Sequence, residues 1–581
     1  RCSECDPATH FRLEGECQPC PDVPWLLPLL LVFAIIGSSV AMLIFTRMKV
    51  NLAVASIGID YFQVLSMFSK AKVRWPPEIK WIFHQLQWFC FDIDMTGPEC
   101  AFRQFLTYER KWYLKVLLPI AGATLVLFWF TTFACYDVFC SLRGRKRAKS
   151  MWAKLRASKK LETINMSVLE NKDPTANNGT IVIPLDGGFG KAGQKKKKKK
   201  KNRKKSVREQ RLMDDMSNAV TQATSIMLTM TYFLFVLVSK TALAPFNCVP
   251  TRPPTGRLFM ADRPLEECYR EGRLQMRLTA PAVLFLVFYT FGFPTFIILL
   301  FRRHKYAIQA DQMLRAKSKG DDSTSNPHYV FRRRYSRLYY QFQPQYYFWI
   351  LILLARKFFI CLIGVLFRSA PTFQLAFAIA IIFTCFVLQV KYRPYMDVIE
   401  AGTLVKEEHM ELILKESRML FLIKKLSNGD SPEIDQIQQN IEEHTLTMDA
   451  EVKEMQKHHH PYFNLNALET TLLSSAVVVL LAGIVFDSAY IWQPEFFWSN
   501  KIITYATMVM IICTLVYYFA LTYREIRLAK KKRATRRKVA WKKIKHGKKS
   551  LLSKMKLQSM EKSKLVDTAS TRLKNKEGLG S

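Results

Sequence analysis

The chain is predicted to be an all-α polytopic membrane protein. It would have about nine transmembrane helices, an outside N-terminus, a cytoplasmic C-terminus and a small disulfide-rich extracellular remnant. Three observations predict this. Apolar stretches recur that are each long enough to cross a hydrocarbon core of about 30 Å, which takes roughly 20 helical residues. Basic residues gather on alternate connections between those stretches. The cysteines divide by side.

The clear spans fall at about 25–46, 116–136, 219–243, 279–301, 347–367, 373–391, 469–487 and 499–521. A ninth, at about 51–70, carries Asp60 and Gln63. Charge gives the orientation. Lysine and arginine number 86 against 47 acidic residues, a formal net charge of +39. Residues 142–215 hold 23 basic and 7 acidic side chains, net +16, and residues 524–581 hold 21 and 4, net +17. So basic a chain would ordinarily raise nucleic acid as a partner. Here the excess lies on connections between apolar spans, so the positive-inside rule accounts for it and no nucleic acid is expected.

Counting from Arg47 and Lys49 places 142–215, 302–345, 392–467 and the tail inside. The outside then receives 1–23, 72–114 and 246–277. Of 13 cysteines, eight fall on that side: Cys2, Cys5, Cys17, Cys20, Cys90, Cys100, Cys248 and Cys268. The long inner connections have none, as oxidising and reducing compartments would produce. Bridges are expected for Cys248–Cys268 and Cys90–Cys100.

Taken in order, residues 1–22 form an extracellular cysteine-rich module. Its Cys-x-x-Cys pairs at 2/5 and 17/20 match a four-thiolate zinc site in spacing. A position outside, just before a membrane helix, points instead to disulfides, so no metal is expected. Residues 23–141 hold helices 1–3, and 142–216 form a basic cytoplasmic loop. Its run from Lys195 through Lys198 to Lys201, with Arg203, Lys204 and Lys205, is expected to stay solvated and to attract anionic lipid. Ser206 beside the run is a candidate for phosphorylation, which would weaken that attraction. The preceding Gly187-Gly188-Phe189-Gly190 lacks the ending of a phosphate loop.

Residues 217–396 hold helices 4–7. Pro281 and Pro294 bracket the fifth and mark a hinge or ordinary membrane-helix prolines. Arg356 and Lys357 stand near the middle of the sixth. A cation at that depth must face protein or water, and Asp60 and Gln63 are the natural partners. They mark a polar pathway, a gating salt bridge or a buried structural pair. No span carries the repeated basic residues of a voltage sensor.

Residues 397–465 read as a cytoplasmic helical hairpin, broken at Ser427–Pro432, with coiled-coil character. Either it is a spacer or segment 398–457 associates with a second copy or a partner protein. His458-His459-His460 lacks a second ligand cluster. Residues 466–523 hold helices 8 and 9. The tail, 524–581, sets Trp541 among Arg536, Arg537 and Lys542, which suits a membrane-surface helix, a calmodulin-type target or a topology determinant. Two sequons, at Asn165 and Asn178, lie in the loop placed inside and should carry no glycan. No nucleophile–base set or cofactor loop appears, so no enzyme and no cofactor are expected.

Several short segments resemble known families. Gly15, Cys17, Cys20 and Pro21 fit the ephrin-receptor-like cysteine-rich module. Residues 63–76 (QVLSMFSKAKVRWP), Glu99-Cys100, Phe246-Asn247-Cys248, Arg356-Lys357, Arg393-Pro394-Tyr395 and Asn466-Ala467-Leu468-Glu469 resemble TRP-like polytopic proteins of fungi, algae, oomycetes and ciliates. The resemblance covers most of 20–525. It implies a cation channel or channel-related transport protein, at the plasma or ciliary membrane, ending a longer protein whose ectodomain meets an extracellular partner. An acidic residue often precedes the Arg-Lys pair in that family; Phe348-Trp349-Ile350-Leu351 lacks it. A membrane-anchored receptor or adhesion scaffold, and a lipid or small-solute transporter, are the other functions considered.

Overall fold

A computed structural model describes most of residues 9–26, 53–128, 220–317, 325–426, 432–456 and 464–535. The helices are α1 (Ala53–Ser69), α2 (Pro77–Leu86), α3 (Tyr108–Phe128), α4 (Val220–Phe246), α5 (Leu274–Arg303), α6 (Lys305–Ala316) and α7 (Tyr329–Tyr339). Next come α8 (Trp349–Leu366), α9 (Pro371–Tyr392), α10 (Val398–Leu426), α11 (Pro432–Gln456), α12 (Leu465–Asp487) and α13 (Pro494–Thr535). Seven of them, α3, α4, α5, α8, α9, α12 and α13, are long and apolar enough to cross a membrane, and α1 is a shorter apolar helix. Most of the predicted span at 25–46 lies outside the described residues.

The third span begins at Tyr108, not at 116. Lys111 and Lys115 read as residues that hold a helix end in water. Here Asp94 and Glu99 neutralise them, with Lys111 Nζ 2.7 Å from Asp94 and further pairs to Glu99 and from Lys115 to Asp94. The helix therefore continues through them, and Trp112 Nε1 donates to the carbonyl of Thr241 at 2.8 Å, stapling α3 to α4.

The core runs between α1, α8, α9 and α12, where Phe62, Leu65, Leu353, Leu375, Ala378 and Val479 are buried together. Gly58 permits the approach of α13: a Cβ there would stand 2.2 Å from the Tyr518 ring. Outward faces carry large apolar side chains such as Phe288, Phe373 and Ile502, a surface suited to lipid. Within α5 a π-helical turn, Leu286–Phe291, lies between Pro281 and Pro294. Proline has no N–H to offer the carbonyl four residues earlier, and the ladder widens just before Pro294.

One end of the bundle carries two small sheets, an addition to the all-α expectation. β1 (His10–Leu13) pairs antiparallel with β2 (Glu16–Pro19), and β3 (Cys248–Pro250), β4 (Leu258–Met260) and β5 (Arg263–Glu267) form a meander. Cys248 is bonded to Cys268, as expected. Cys100 is bonded to Cys20, which overturns the Cys90–Cys100 assignment. The reason is tertiary. Phe11 packs against Gly97, whose positive φ of 51° turns the chain into Pro98–Ala101, and this brings the hairpin over Cys100. Cys17 is also disulfide-bonded, in keeping with disulfides in place of zinc. Cys2, Cys5 and Cys90 lie outside the described residues.

The opposite end carries α6, α7 and the antiparallel hairpin of α10 and α11. Ala316, Met396, Leu404 and Val405 form a separate cluster that fixes the root of α10 against α6. The lipid-binding residues expected at Lys195, Lys198, Lys201, Arg203, Lys204, Lys205, Arg536, Arg537, Trp541 and Lys542 lie outside the described residues. So do both sequons and the three consecutive histidines.

Candidate functional site: paired charges inside the bundle

Consecutive residues of a helix point about 100° apart. Arg356 and Lys357 of α8 therefore address different neighbours. Lys357 Nζ lies 2.7 Å from Asp60 Oδ1 on α1. Tyr232 of α4 donates its hydroxyl to the other oxygen of Asp60 at 2.5 Å. The same tyrosine ring stands 3.9 Å from Lys357 Nζ, so one side chain serves both members of the pair. Arg356 Nη1 donates to Glu469 Oε1 of α12 at 2.7 Å.

All four charges are buried: Lys357 is 0% exposed, Asp60 2%, Glu469 2% and Arg356 4%. Two cations meet two anions, so the set is neutral as a whole. A lone cation at the centre of a membrane helix costs about 2.5–3.5 kcal/mol on insertion scales. Pairing offsets that cost here. Gln63, also buried, donates Nε2 to the Phe233 carbonyl at 3.0 Å.

A small cavity borders the Arg356–Glu469 pair, walled by Ile57, Tyr61, Val64, Ile382 and Leu472. It offers about 10 Å³ to a water-sized sphere, the room of roughly one water molecule. Arg356 Nε has no hydrogen-bond partner among the described residues. Beside the cavity Tyr61 and Ser475 share a hydroxyl–hydroxyl bond of 2.9 Å.

From this cluster a polar chain leads toward the end that bears the helical hairpin. Tyr395 is fully buried, and its hydroxyl has no partner among the described residues. Burial, and then the negative charge of Glu469, push that phenol well above its ordinary range. Asn466, one turn before Glu469, accepts from Gln389 Nε2 and from the Tyr395 N–H, both at 3.1 Å. It donates Nδ2 to the Tyr395 carbonyl at 2.8 Å and its backbone N–H to Asp397 Oδ2 at 3.2 Å. Burial pushes the Asp397 carboxyl up to about 7, against the opposing hydrogen bond from Asn466. Glu400 of α10 closes the chain with Arg393 at 2.9 Å.

Sequence reasoning found the Asp60–Lys357 partnership. It missed Glu469 as the partner of Arg356, although Glu469 stands in the Asn-Ala-Leu-Glu segment that was read as opening the eighth span. The helix starts at Leu465, which draws Glu469 inside. The acids that balance the Arg-Lys pair come from other spans, so the missing acidic residue before Arg356 is made good in space. Among the described residues, no group of three or more histidine, cysteine or acidic side chains is placed to hold a metal ion. No protein-family model, no curated protein and no solved structure matches this chain.

Proposed function

We propose that the protein is a multi-pass, TRP-like cation channel or channel-related transport protein with its polar pathway shut. It would lie at the C-terminal end of a larger extracellular cysteine-rich protein, in the plasma or ciliary membrane. The observation that carries this reading is the double ion pair drawn from α1, α8 and α12, with Tyr232 of α4 completing it. Ionisable groups inside a membrane are expensive and mark ion or proton pathways more than they mark stability. Apolar packing would hold the same helices at least as well. Separating any one of these helices uncovers charge, which is what a gate requires.

The test is cation flux through liposomes containing the full chain, comparing the wild type with Asp60→Asn and with Arg356→Ala/Lys357→Ala. The reading predicts a cation current whose size or open probability the variants change. No current from any monodisperse preparation, with the ectodomain present, overturns it.

A receptor or adhesion scaffold is the second reading. Tight packing around the four charges favours it, as does the covalent attachment of the N-terminal hairpin to the bundle through Cys20–Cys100. In that reading the polybasic segments hold anionic lipid and 398–457 meets a second copy or a partner. A lipid or small-solute transporter calls for Asp60, Gln63, Arg356 and Lys357 to line a groove open to lipid, and all four are buried.

A further inference from the structure

A second cavity opens on the outer surface of the bundle between α3, α4 and α5. It encloses about 400 Å³. Its wall includes Ile120, Ala123 and Leu127 of α3, Thr231 of α4, and Phe288 and Phe296 of α5. The wall also has three hydroxyls, and each is already engaged. Thr124 donates to the Ala121 carbonyl at 2.8 Å, Thr231 to the Met227 carbonyl at 2.9 Å, and Tyr289 to the Thr231 carbonyl at 2.8 Å. An occupant therefore meets methyl groups and rings. The widened backbone at Leu286–Phe291 forms part of the rim, and such turns recur at functional sites.

The cavity sits toward the end of the helices remote from the disulfides. On the regular part of α5, Gly292, Phe296, Leu299 and Arg303 follow one another at spacings of four, three and four, a single helical stripe. Arg303 thus stands about 10 Å beyond Phe296 on the cavity's own face. Arg302 and Arg303 are both exposed, and neither has an acidic partner among the described residues. Beyond this largely apolar slot Arg303 continues the stripe, with Arg302 beside it, where a bilayer's headgroups would lie.

We propose that this slot holds an acyl chain of an anionic phospholipid, with Arg302 and Arg303 attracting the net negative charge of its headgroup. In the orientation set by the basic segments, the lipid belongs to the cytoplasmic leaflet. The proposal does not require that the protein conduct.

The test uses the full chain in phosphatidylcholine vesicles containing a trace of phosphatidylserine with a photoreactive acyl chain, or phosphatidylcholine with the same chain. Adducts are then mapped by peptide. A basic residue near the surface favours an anionic headgroup by about fivefold, so phosphatidylserine should label 119–127 and 288–296 at least about fivefold more than phosphatidylcholine does. R302Q/R303Q should erase that preference, and Ala123→Trp should remove labelling by both probes. The basic loop and tail do not reproduce this pattern, because they attract headgroups and leave chain position unspecified. Equal labelling by the two probes in the wild type overturns the proposal. So do adducts no denser there than on the exposed face of α13. If Ala123→Trp fails to fold, the surface pair R302Q/R303Q decides alone.

Discussion

Asn466 and Glu469 stand one turn apart on α12, and each holds a different part of the molecule. Asn466 binds the linker between α9 and α10 through Tyr395 and Asp397. Glu469 binds Arg356 within the bundle. A displacement of the helical hairpin is thus one helical turn from the buried charges.

Each ion pair should behave as a matched unit. Removing one partner of a buried pair costs about 3–5 kcal/mol, because the other charge is left without compensation. Lys357→Met or Asp60→Asn alone should lower thermal stability in detergent strongly. Asp60→Leu/Lys357→Met should recover much of the loss. A double-mutant cycle by thermal unfolding checks this, and additive losses refute the pairing.

Asp397 gives the linker a pH dependence with a definite sign. Its folded carboxyl titrates near 7, against about 4 in an unfolded chain. The folded protein therefore binds this proton more tightly. The stability it contributes is full below pH about 4 and is lost as pH rises through about 7. Asp397→Asn should flatten the fall in melting temperature between pH 5.5 and 8 by up to one proton's worth of slope. An unchanged slope would show that Asp397 is ionised in the fold throughout.

Peptide mapping without reduction should recover Cys20 joined to Cys100 and Cys248 joined to Cys268. Cys20→Ser/Cys100→Ser should free the N-terminal hairpin for proteolysis near residue 20 while leaving the melting of the helices nearly unchanged. A Cys90–Cys100 peptide would contradict the geometry of Phe11 on Gly97.

Gly58→Ala should cost about 1–3 kcal/mol, since the added methyl collides with the Tyr518 ring. Tyr518→Ala in the same chain should restore part of that loss, although alone it leaves a cavity. Thermal melts of the four proteins decide whether the two effects compensate.

Much of this architecture was legible in the sequence, and the reasons differ by residue. Asp60 was readable as the partner of Lys357 because it is an acid within an otherwise apolar stretch. Glu469 was not, because an acid at the edge of a span looks solvated until the helix start is known. Tyr232 and Tyr395 gave no signal, since a tyrosine in or beside an apolar run is ordinary. Cys248–Cys268 is separated by 20 residues on one loop, whereas Cys20–Cys100 spans 80 and depends on how the hairpin docks. The early start of α3 was hidden because Lys111 and Lys115 look unpaired in one dimension.

The Cys20–Cys100 bond also has a mechanical meaning. The N-terminal hairpin is joined to the helices twice, once by the peptide that continues past residue 20 and once by sulfur to residue 100. A pull on the hairpin is shared between these two routes in parallel. The second leads through Glu99 and Lys111 into α3, and from Trp112 into α4, whose Tyr232 grips Asp60. Tension applied to the hairpin thus has a short line to the charges within, and reduction of a single bond would slacken it.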